Sequence, residues 1–350
     1  MESNNTYRTV AGYFLLLLTV TFFGCEKTLL GEDPSRDAKS SLQAMYQQFD
    51  QHYGMFEVKN IDWDALYDAK KGTIGAQSTD RELYNAMIAM LSPLNDAHVT
   101  LYPAEQSGLA TWSIDLNGEG VFVNDFFDLK VIKDHYIGQL KSTGPFDYGM
   151  FGKLGYLHIR EFPDQKFSAH GKALDQIFSE LKTAKGLILD IRDNAGGADP
   201  VAQYVAGRFA STQGPYMHVR KKNGAGKGKF SDWTTWEIQP TGETFTRPIA
   251  LLTEKGTQSA AETFTLALKT QQHVRSFGGK TAGAFSDNIL KELPNGWLIS
   301  ISVGDYRDKN RASHEGIGLL PDVPLSSSRA ELVTGKDRVL EAAATYLNNK

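Results

Sequence analysis

The chain has 350 residues, of which 41% are hydrophobic, and this is enough for one large domain together with a small one. A composition of this kind excludes disorder as the default state. The formal net charge of -4 gives no basic footprint for nucleic acid, so no nucleic-acid partner is expected. Cys25 is the only cysteine, which excludes a disulfide within the chain and a cysteine-rich zinc site.

The first predicted element is an apolar run from Val10 to Gly24. It is shorter than the roughly 20 residues of a membrane span, and its length is typical of the apolar region of a secretory signal. Because the run ends directly before Cys25, residues 1–25 resemble a bacterial lipoprotein signal with Cys25 as the lipidation site. Residues 26–39 would then be a polar tether, and the protein would be lipid-anchored to a membrane of the bacterial cell envelope, facing the periplasm or the exterior. The alternative is a short uncleaved anchor in which the cysteine has no role.

Residues 40–103 are predicted to form a small helical subdomain. Ser40 to Phe49 has the apolar spacing of a helix. Thr79-Asp80-Arg81-Glu82 is a capping box, which predicts a helix that starts at Thr79. Asn95-Asp96 signals a turn before a short strand. His98 therefore lies where a loop enters a strand, although a lone histidine is more often structural than catalytic.

Residues 104–150 mix short strand-like runs with turn residues, and they are predicted to form a short β-rich linker. After this linker, strands alternate with helices, which is typical of β-α-β units. Gly186 to Arg192 is a continuous apolar run, as expected for a strand covered on both faces of a parallel sheet. Leu298 to Val303 alternates apolar residues with serines, which predicts a half-buried strand. We therefore expect residues 151–350 to form an α/β core.

Four stretches of this core contain residues suited to a catalytic site. Gly256 to Glu262 places Ser259 between a strand and a helix, where unpaired N–H groups at the helix N-terminus can hold an oxyanion. Ser259 could equally be a helix cap, because caps favour serine. The other three stretches are Asp190 to Gly197, Gly278 to Gly283, and His314 to Val323.

Together with Asn95-Asp96-Ala97-His98, these stretches resemble the C-terminal processing peptidases, also called tail-specific proteases, and the related tricorn protease core. The patterns D-x-R-x-N-x-G-G and S-A-x-E, in this order, are quite specific for that family. The resemblance implies a spiral α/β core like that of Clp protease and crotonase. It also implies a nucleophile at Ser259 and an oxyanion hole formed by backbone N–H groups of Ala260 and of Gly196 or Gly197.

The general base distinguishes two branches of this family. One branch uses a lysine at the end of the glycine-rich turn, but the corresponding residue here is Ala284. The other branch, to which the tricorn core belongs, uses a histidine from an early D-x-H motif and a glutamate from a late E-x-x-G motif. The resemblance therefore implies that His98 is the general base and that Glu315 orients or polarises the site, and the unperturbed pKa of histidine, ~6.5, suits a base. The tricorn core has a serine beside this histidine, whereas this chain has Ala97.

The sequence predicts a serine-type endopeptidase that cleaves peptides or proteins outside the cytoplasm, with no cofactor and no metal ion. Residues 104–150 are about half the length of the PDZ domain that many family members carry, so no full PDZ domain is expected. The alternative function is non-catalytic binding of peptides or other ligands on the same core. An α/β-hydrolase is disfavoured because Ser259 lacks the G-x-S-x-G elbow, and a zinc peptidase is disfavoured because no H-E-x-x-H motif occurs.

Overall fold

The computed structural model describes residues 35–114 and 127–350. The predicted signal sequence, Cys25 and most of the predicted tether therefore lie outside the described residues, as does part of the predicted linker. No helix within the two described ranges is long and apolar enough to cross a membrane.

The helices, in chain order, are α1 (Ala38–His52), α2 (Trp63–Lys71), α3 (Asp80–Leu91), α4 (Leu129–Val131, continued by a helical turn over Ile132–Tyr136), α5 (Phe167–Glu180), α6 (Asp199–Gly207), α7 (Ala260–Leu268), α8 (Arg329–Val333) and α9 (Arg338–Asn348). The strands are β1 (Thr100–Tyr102), β2 (Trp112–Ser113), β3 (Lys141–Thr143), β4 (Phe146–Phe151), β5 (Leu154–Ile159), β6 (Leu187–Asp190), β7 (Gly214–Lys221), β8 (Thr234–Ile238), β9 (Ile249–Thr253), β10 (Val274–Gly278), β11 (Asn288–Glu292), β12 (Leu298–Ser302), β13 (Gly304–Asp308) and β14 (Val323–Pro324).

The N-terminal helices α1, α2 and α3 share an apolar core of their own. The predicted capping box is present: the Thr79 hydroxyl accepts a hydrogen bond from the Glu82 N–H, and the Glu82 carboxylate accepts one from the Thr79 N–H. α1 begins before the predicted start because the Asp37 carboxylate caps it. Phe49 is fully buried in the same cluster as Ile299 of β12, so the helical subdomain and the core share apolar contacts.

The core is built on a seven-stranded sheet with the order β14-β10-β9-β6-β5-β4-β3. The strands from β14 to β5 run parallel, and β4 and β3 are antiparallel to their neighbours. Leu187 and Leu189 of β6 pack with α5, α6 and α7, whereas Ile188 packs with α9. Both faces of this strand are thus covered, which explains its continuous apolar run.

The core begins earlier than the boundary predicted at residue 151. β4 pairs with β5 along its whole length, from Phe146 opposite Ile159 to Phe151 opposite Leu154. The first four residues of β4 are buried, so the strand lacks the alternation by which a half-exposed strand is recognised. The described part of residues 104–150 contains the strands β2 and β3 and most of β4 together with the helix α4, and the seven-stranded sheet starts at β3.

A second sheet, with the order β11-β12-β1-β2, connects the helical subdomain to the core. β1 follows shortly after His98 and pairs antiparallel with β12. The sequence predicts β12 to be half-buried, but Ser300 and Ser302 are buried as well. The reason lies in a distant partner, because the Ser302 hydroxyl donates to Asp96 Oδ1 at 3.0 Å. This sheet fixes the loop that contains His98 against the C-terminal half of the core.

Candidate active site

Ser259 lies immediately before α7, after β9 and a short loop. Its backbone has a φ of 52° and a ψ of -123°, a conformation that costs a non-glycine residue about 1–3 kcal/mol. The surrounding chain holds this conformation from both sides: the Ser259 N–H donates to the Ala284 carbonyl (2.9 Å), and the Ser259 carbonyl accepts from the Glu262 N–H (2.8 Å). The Ser259 hydroxyl makes no capping hydrogen bond to α7. The helix-cap alternative therefore lacks the contact that defines a cap.

The predicted glycine pair packs directly against this serine. A Cβ added at Gly196, which has a φ of 105°, would lie 2.7 Å from Ser259 Cβ and 3.0 Å from Ala260 N. The Gly196 N–H donates to Asn194 Oδ1 (2.8 Å), which commits it to its own turn. Within residues 35–114 and 127–350, the N–H groups of Gly197 and Ala260 have no acceptor. These two groups are available to an oxyanion that forms next to Ser259.

Buried side chains hold the D-x-R-x-N-x-G-G motif in place. Arg192 donates to both oxygens of Asp190 (2.9 and 2.7 Å), and its Nη2 lies 2.8 Å from Asp337 Oδ2. All three of these side chains are completely buried. The Asn194 carbonyl accepts from the Gln258 N–H (3.0 Å), one residue before the serine. The polar residues of the motif thus fix the glycine pair against the loop that contains Ser259.

Glu262 organises the glycine-rich turn on the other side of Ser259. Its buried carboxylate accepts hydrogen bonds from Thr281 Oγ1 (2.6 Å), the Gly283 N–H (2.8 Å) and the Ala284 N–H (2.7 Å). Burial raises the pKa of Glu262 to about 7, although these three bonds favour the charged form. Ala284 stands where the other branch has its lysine, and it offers Ser259 a backbone carbonyl and a buried methyl group.

Glu315 reaches the same turn from the late loop. Its Oε2 accepts a hydrogen bond from the Phe285 N–H (2.9 Å), next to Ala284, and its Oε1 lies 3.5 Å from Lys59 Nζ. Burial and the carboxylate of Asp96 raise the pKa of Glu315 to about 8, and the ammonium group of Lys59 opposes this rise. Small changes around this carboxyl group therefore decide its charge near neutral pH.

His98 lies on the loop before β1, on the side of the helical subdomain. Its N–H donates to Asp96 Oδ1 (3.0 Å), and Asp96 Oδ2 accepts from the Tyr53 hydroxyl (2.9 Å). Burial lowers the pKa of His98, against the opposing charges of Asp96 and Asp287, and this favours the neutral imidazole that a base needs. Its Nδ1 is buried without a hydrogen-bond partner in the described part of the chain. The imidazole makes no hydrogen bond to Ser259 in this structure.

The predicted site residues thus fall into two groups. The first group contains the residues predicted to be the nucleophile and to form the oxyanion hole, which are Ser259, Gly196, Gly197 and Ala260. The second contains Glu315 and His98, which are connected through Lys59 and Asp96, because Lys59 Nζ lies 3.5 Å from Glu315 and 3.7 Å from Asp96 Oδ2. The two groups meet at the backbone of Ala284 and Phe285, which contacts Ser259 on one side and Glu315 on the other.

Two residues of this arrangement, Lys59 and Glu262, were not among the site residues predicted from the sequence. Glu262 is visible in the sequence as the last residue of the S-A-x-E pattern, and the structure shows why an acid is needed there. Lys59 has no comparable signal, because it stands between Val58 and Asn60 in a segment that contains no recognisable motif.

Comparisons of the sequence and of the fold with known proteins all find similarity to peptidases. The sequence profile of Peptidase family S41 matches residues 153–325. The carboxy-terminal-processing protease of Bartonella bacilliformis is 23% identical over 334 residues, which cover 88% of this chain and 74% of that protein. Carboxyl-terminal-processing peptidase 2, chloroplastic, of Arabidopsis thaliana is 28% identical over 176 residues, which cover 50% of this chain and only 32% of that protein.

A solved structure of a candidate peptidase from Parabacteroides merdae superimposes with a TM-score of 0.77 at 24% identity. The superposition covers 89% of this chain and 96% of that chain. This similarity of fold confirms the predicted α/β core of the Clp protease and crotonase type.

Proposed function

We propose that the chain is a serine endopeptidase of family S41, whose profile it matches over residues 153–325, with Ser259 as nucleophile and His98 as general base. Its substrates are peptides or proteins, in keeping with the carboxy-terminal processing proteases to which it is similar. These relatives favour a peptidase over a non-catalytic binding protein on the same core.

The environment of Ser259 supports this assignment most directly. Its strained backbone presents an uncapped hydroxyl at the N-terminus of α7. Beside it, in the described part of the chain, the N–H groups of Gly197 and Ala260 have no acceptor. Backbone donors aimed at a developing oxyanion lower the reaction barrier by ~3 kcal/mol each. A structural role for Ser259 would account for neither the strain nor the free donors.

In the first half of the reaction, His98 Nε2 accepts the hydroxyl proton of Ser259 while Oγ attacks the carbonyl carbon of the peptide. Nε2 is the nitrogen that acts, since Nδ1 is buried. The carbonyl oxygen becomes an oxyanion, which Gly197 and Ala260 bind. The C–N bond then breaks, His98 returns the proton to the leaving amine, and an acyl ester remains on Ser259. Water, deprotonated by His98, hydrolyses the ester and restores the serine.

The structure shows no hydrogen bond between His98 and Ser259, so the proposed proton transfer requires the two side chains to come within hydrogen-bond reach of each other. Catalytic hydrogen bonds often tighten only when the substrate is present. Ala97 offers no hydroxyl that could relay a hydrogen bond to Glu315. Glu315 therefore has no serine through which it could relay a hydrogen bond to His98.

A fluorophosphonate probe, which bonds covalently to an activated serine, tests this proposal. We expect the wild-type protein to be labelled, and we expect Ser259→Ala and His98→Ala each to lose both labelling and peptide hydrolysis while the thermal melt stays nearly unchanged. Ser326→Ala, at an exposed serine outside the site, is the control and should be labelled normally. A folded wild-type protein that is not labelled would favour the alternative, non-catalytic binding of peptides or other ligands.

We further propose that the mature protein is lipid-anchored through Cys25 in the bacterial cell envelope and faces the periplasm or the exterior. An apolar run of signal length ends directly before the only cysteine of the chain, which supports this assignment. Residues 26–39 would act as a polar tether between the membrane and the folded part.

A further inference from the structure

Lys59 lies among four oxygen atoms at the junction of the helical subdomain and the core. Its Nζ donates hydrogen bonds to the carbonyl groups of Asn95 (2.9 Å) and Leu94 (3.1 Å). The same nitrogen lies 3.5 Å from Glu315 Oε1 and 3.7 Å from Asp96 Oδ2. Only 11% of the side chain is exposed, so Lys59 differs from an ordinary solvated lysine.

The turn that contains Lys59 is fixed by the core of the helical subdomain. The Lys59 N–H donates to the Met55 carbonyl (2.9 Å), and the Ile61 N–H donates to the Phe56 carbonyl (2.9 Å). Met55 is completely buried, and Asn60 closes the turn with a φ of 52°. The backbone of the turn is therefore fixed, and the Nζ atom is held by the carbonyl groups of Leu94 and Asn95.

A purely structural role for Lys59 would be to satisfy the carbonyl groups of Leu94 and Asn95, as lysines near helix ends often do. That role needs a donor, but it does not need a position between two carboxylates. The side chains of Asp96 and Glu315 are 0% and 1% exposed, and both lie within 4 Å of the same ammonium group. In the described part of the chain, Lys59 is the cation that is paired with each of them.

The titratable groups that face Glu315 come from two sides of the site. Asp96, Lys59 and Tyr53 approach from the helical subdomain, and Glu262 approaches from α7. Burial and the two acids disfavour the ionised form of Glu315, whereas the charge of Lys59 favours it. The ionisation of Glu315 thus depends on one cation that the helical subdomain supplies.

The two oxygens of Glu315 face groups that favour its ionised form. Its Oε2 accepts a hydrogen bond from the Phe285 N–H (2.9 Å). Its Oε1 has no hydrogen-bond partner in the described residues and lies 3.5 Å from the ammonium group of Lys59. Lys59 also lies close enough to His98 to disfavour a second positive charge there.

We propose that Lys59 is a positioning residue of the peptidase site, whose ammonium group favours the ionised form of Glu315 and the neutral form of His98 and ties Glu315 to the loop that contains His98. This role rests on the proposed function of His98 and Glu315. Ala97 cannot relay a hydrogen bond between His98 and Glu315. The charge of Lys59 provides the connection between Glu315 and the His98 loop instead.

The sign of the effect on pH dependence follows from these charges. Lys59 lowers the pKa of Glu315 and the pKa of His98, so both values rise when its charge is removed. Catalysis needs the ionised form of Glu315 and the neutral form of His98, and each form prevails above the pKa of its group. Neutralising Lys59 therefore moves the acidic limb of the pH profile to higher pH, whichever of the two groups controls it.

Lys59→Met removes the charge and keeps an unbranched side chain, whereas Lys59→Arg keeps the charge. For Lys59→Met, we expect kcat/KM at pH 7 to fall ~10-fold or more and the acidic limb to rise by about one pH unit, with activity recovering at alkaline pH. Lys59→Arg and the exposed control Lys71→Met should keep the wild-type profile. Lys59→Gln provides the same test if Lys59→Met does not fold.

A second measurement does not depend on hydrolysis. The carboxyl ¹³C signal of Glu315, assigned by its loss in Glu315→Gln, reports the titration of this group in the full chain. Its midpoint should rise by about one pH unit in Lys59→Met. An unchanged midpoint together with an unchanged acidic limb would overturn the proposed role of Lys59. A raised midpoint in a protein that neither hydrolyses peptides nor reacts with the fluorophosphonate would support the electrostatic role and refute the peptidase function.

Discussion

Replacing Gly196 by alanine tests how closely the glycine pair borders the nucleophile. The new Cβ would lie 2.7 Å from Ser259 Cβ and 3.0 Å from Ala260 N, whereas ordinary contacts begin near 3.4 Å. The serine or the glycine turn must therefore move by about 0.7 Å, the difference between 2.7 and 3.4 Å, because a packed interior leaves no spare room. A displacement of this size at the reacting atoms lowers the rate on the order of 10²-fold.

The substitution also has a backbone cost, which must be separated from the effect on chemistry. At a φ of 105°, an alanine in place of Gly196 costs about 1–3 kcal/mol of stability. Gly152→Ala is the matched control, since Gly152 also has a positive φ (61°) but has nothing within 4 Å of an added Cβ. This control should lose stability and keep its reactivity.

The assay is the second-order rate of fluorophosphonate labelling, measured well below the melting temperature of each variant. We expect Gly196→Ala to react ~10²-fold more slowly than the wild type and Gly152→Ala to react at the wild-type rate. If folded Gly196→Ala reacted within about threefold of the wild type, the glycine pair would not border the reacting atoms, and the oxyanion assignment would fail.

His158 and Cys25 allow two further tests. His158 lies 3.4 Å from Asp147 and 2.6 Å from Asp193, and although burial disfavours its charge, these carboxylates raise its pKa to about 9. Because the folded pKa exceeds the unfolded value, the stabilisation is present below about pH 6.5 and is lost as the pH rises through about 9. In urea unfolding, the free energy of unfolding of the wild type should fall by about 3 kcal/mol between these pH values, and this fall should be absent in His158→Gln. An equal fall in the variant would assign the effect to other groups. Cys25→Ser should abolish the incorporation of radiolabelled palmitate and release the protein from membranes, whereas a wild-type protein that takes up no label would contradict the lipid anchor.

The elements with local signals could be predicted from the sequence. The capping box at Thr79 needs only residues within one helical turn, and the strand before Arg192 is recognisable because both of its faces are apolar. The motif residues around Ser259 were likewise visible. The sequence does not show which of the two adjacent glycines has a free N–H group. This depends on the hydrogen bond from the Gly196 N–H to Asn194 Oδ1.

The features that could not be predicted depend on partners far away in the sequence. Ser302 is buried because its hydroxyl donates to Asp96, which lies 206 residues earlier in the chain. The start of the core at β3 and β4 depends on pairing with β5, which leaves no alternation in the first residues of β4. Lys59 resembles a surface residue until its turn packs against the loop before β1. Each of these features arises from tertiary contact, and no local pattern encodes it.

The replacement of the lysine by Ala284 changes which parts of the chain the active site needs. A lysine at position 284 would lie within the core, at the residue whose carbonyl group already accepts a hydrogen bond from the Ser259 N–H. A histidine base must instead come from the helical subdomain, which supplies both His98 and Lys59. Residues 153–325, which match the family profile, contain the proposed nucleophile, the proposed oxyanion donors and Glu315, but not these two residues. The pairing of β1 with β12 joins the two parts, so the proposed site depends on the second sheet as well as on the sheet that contains β9.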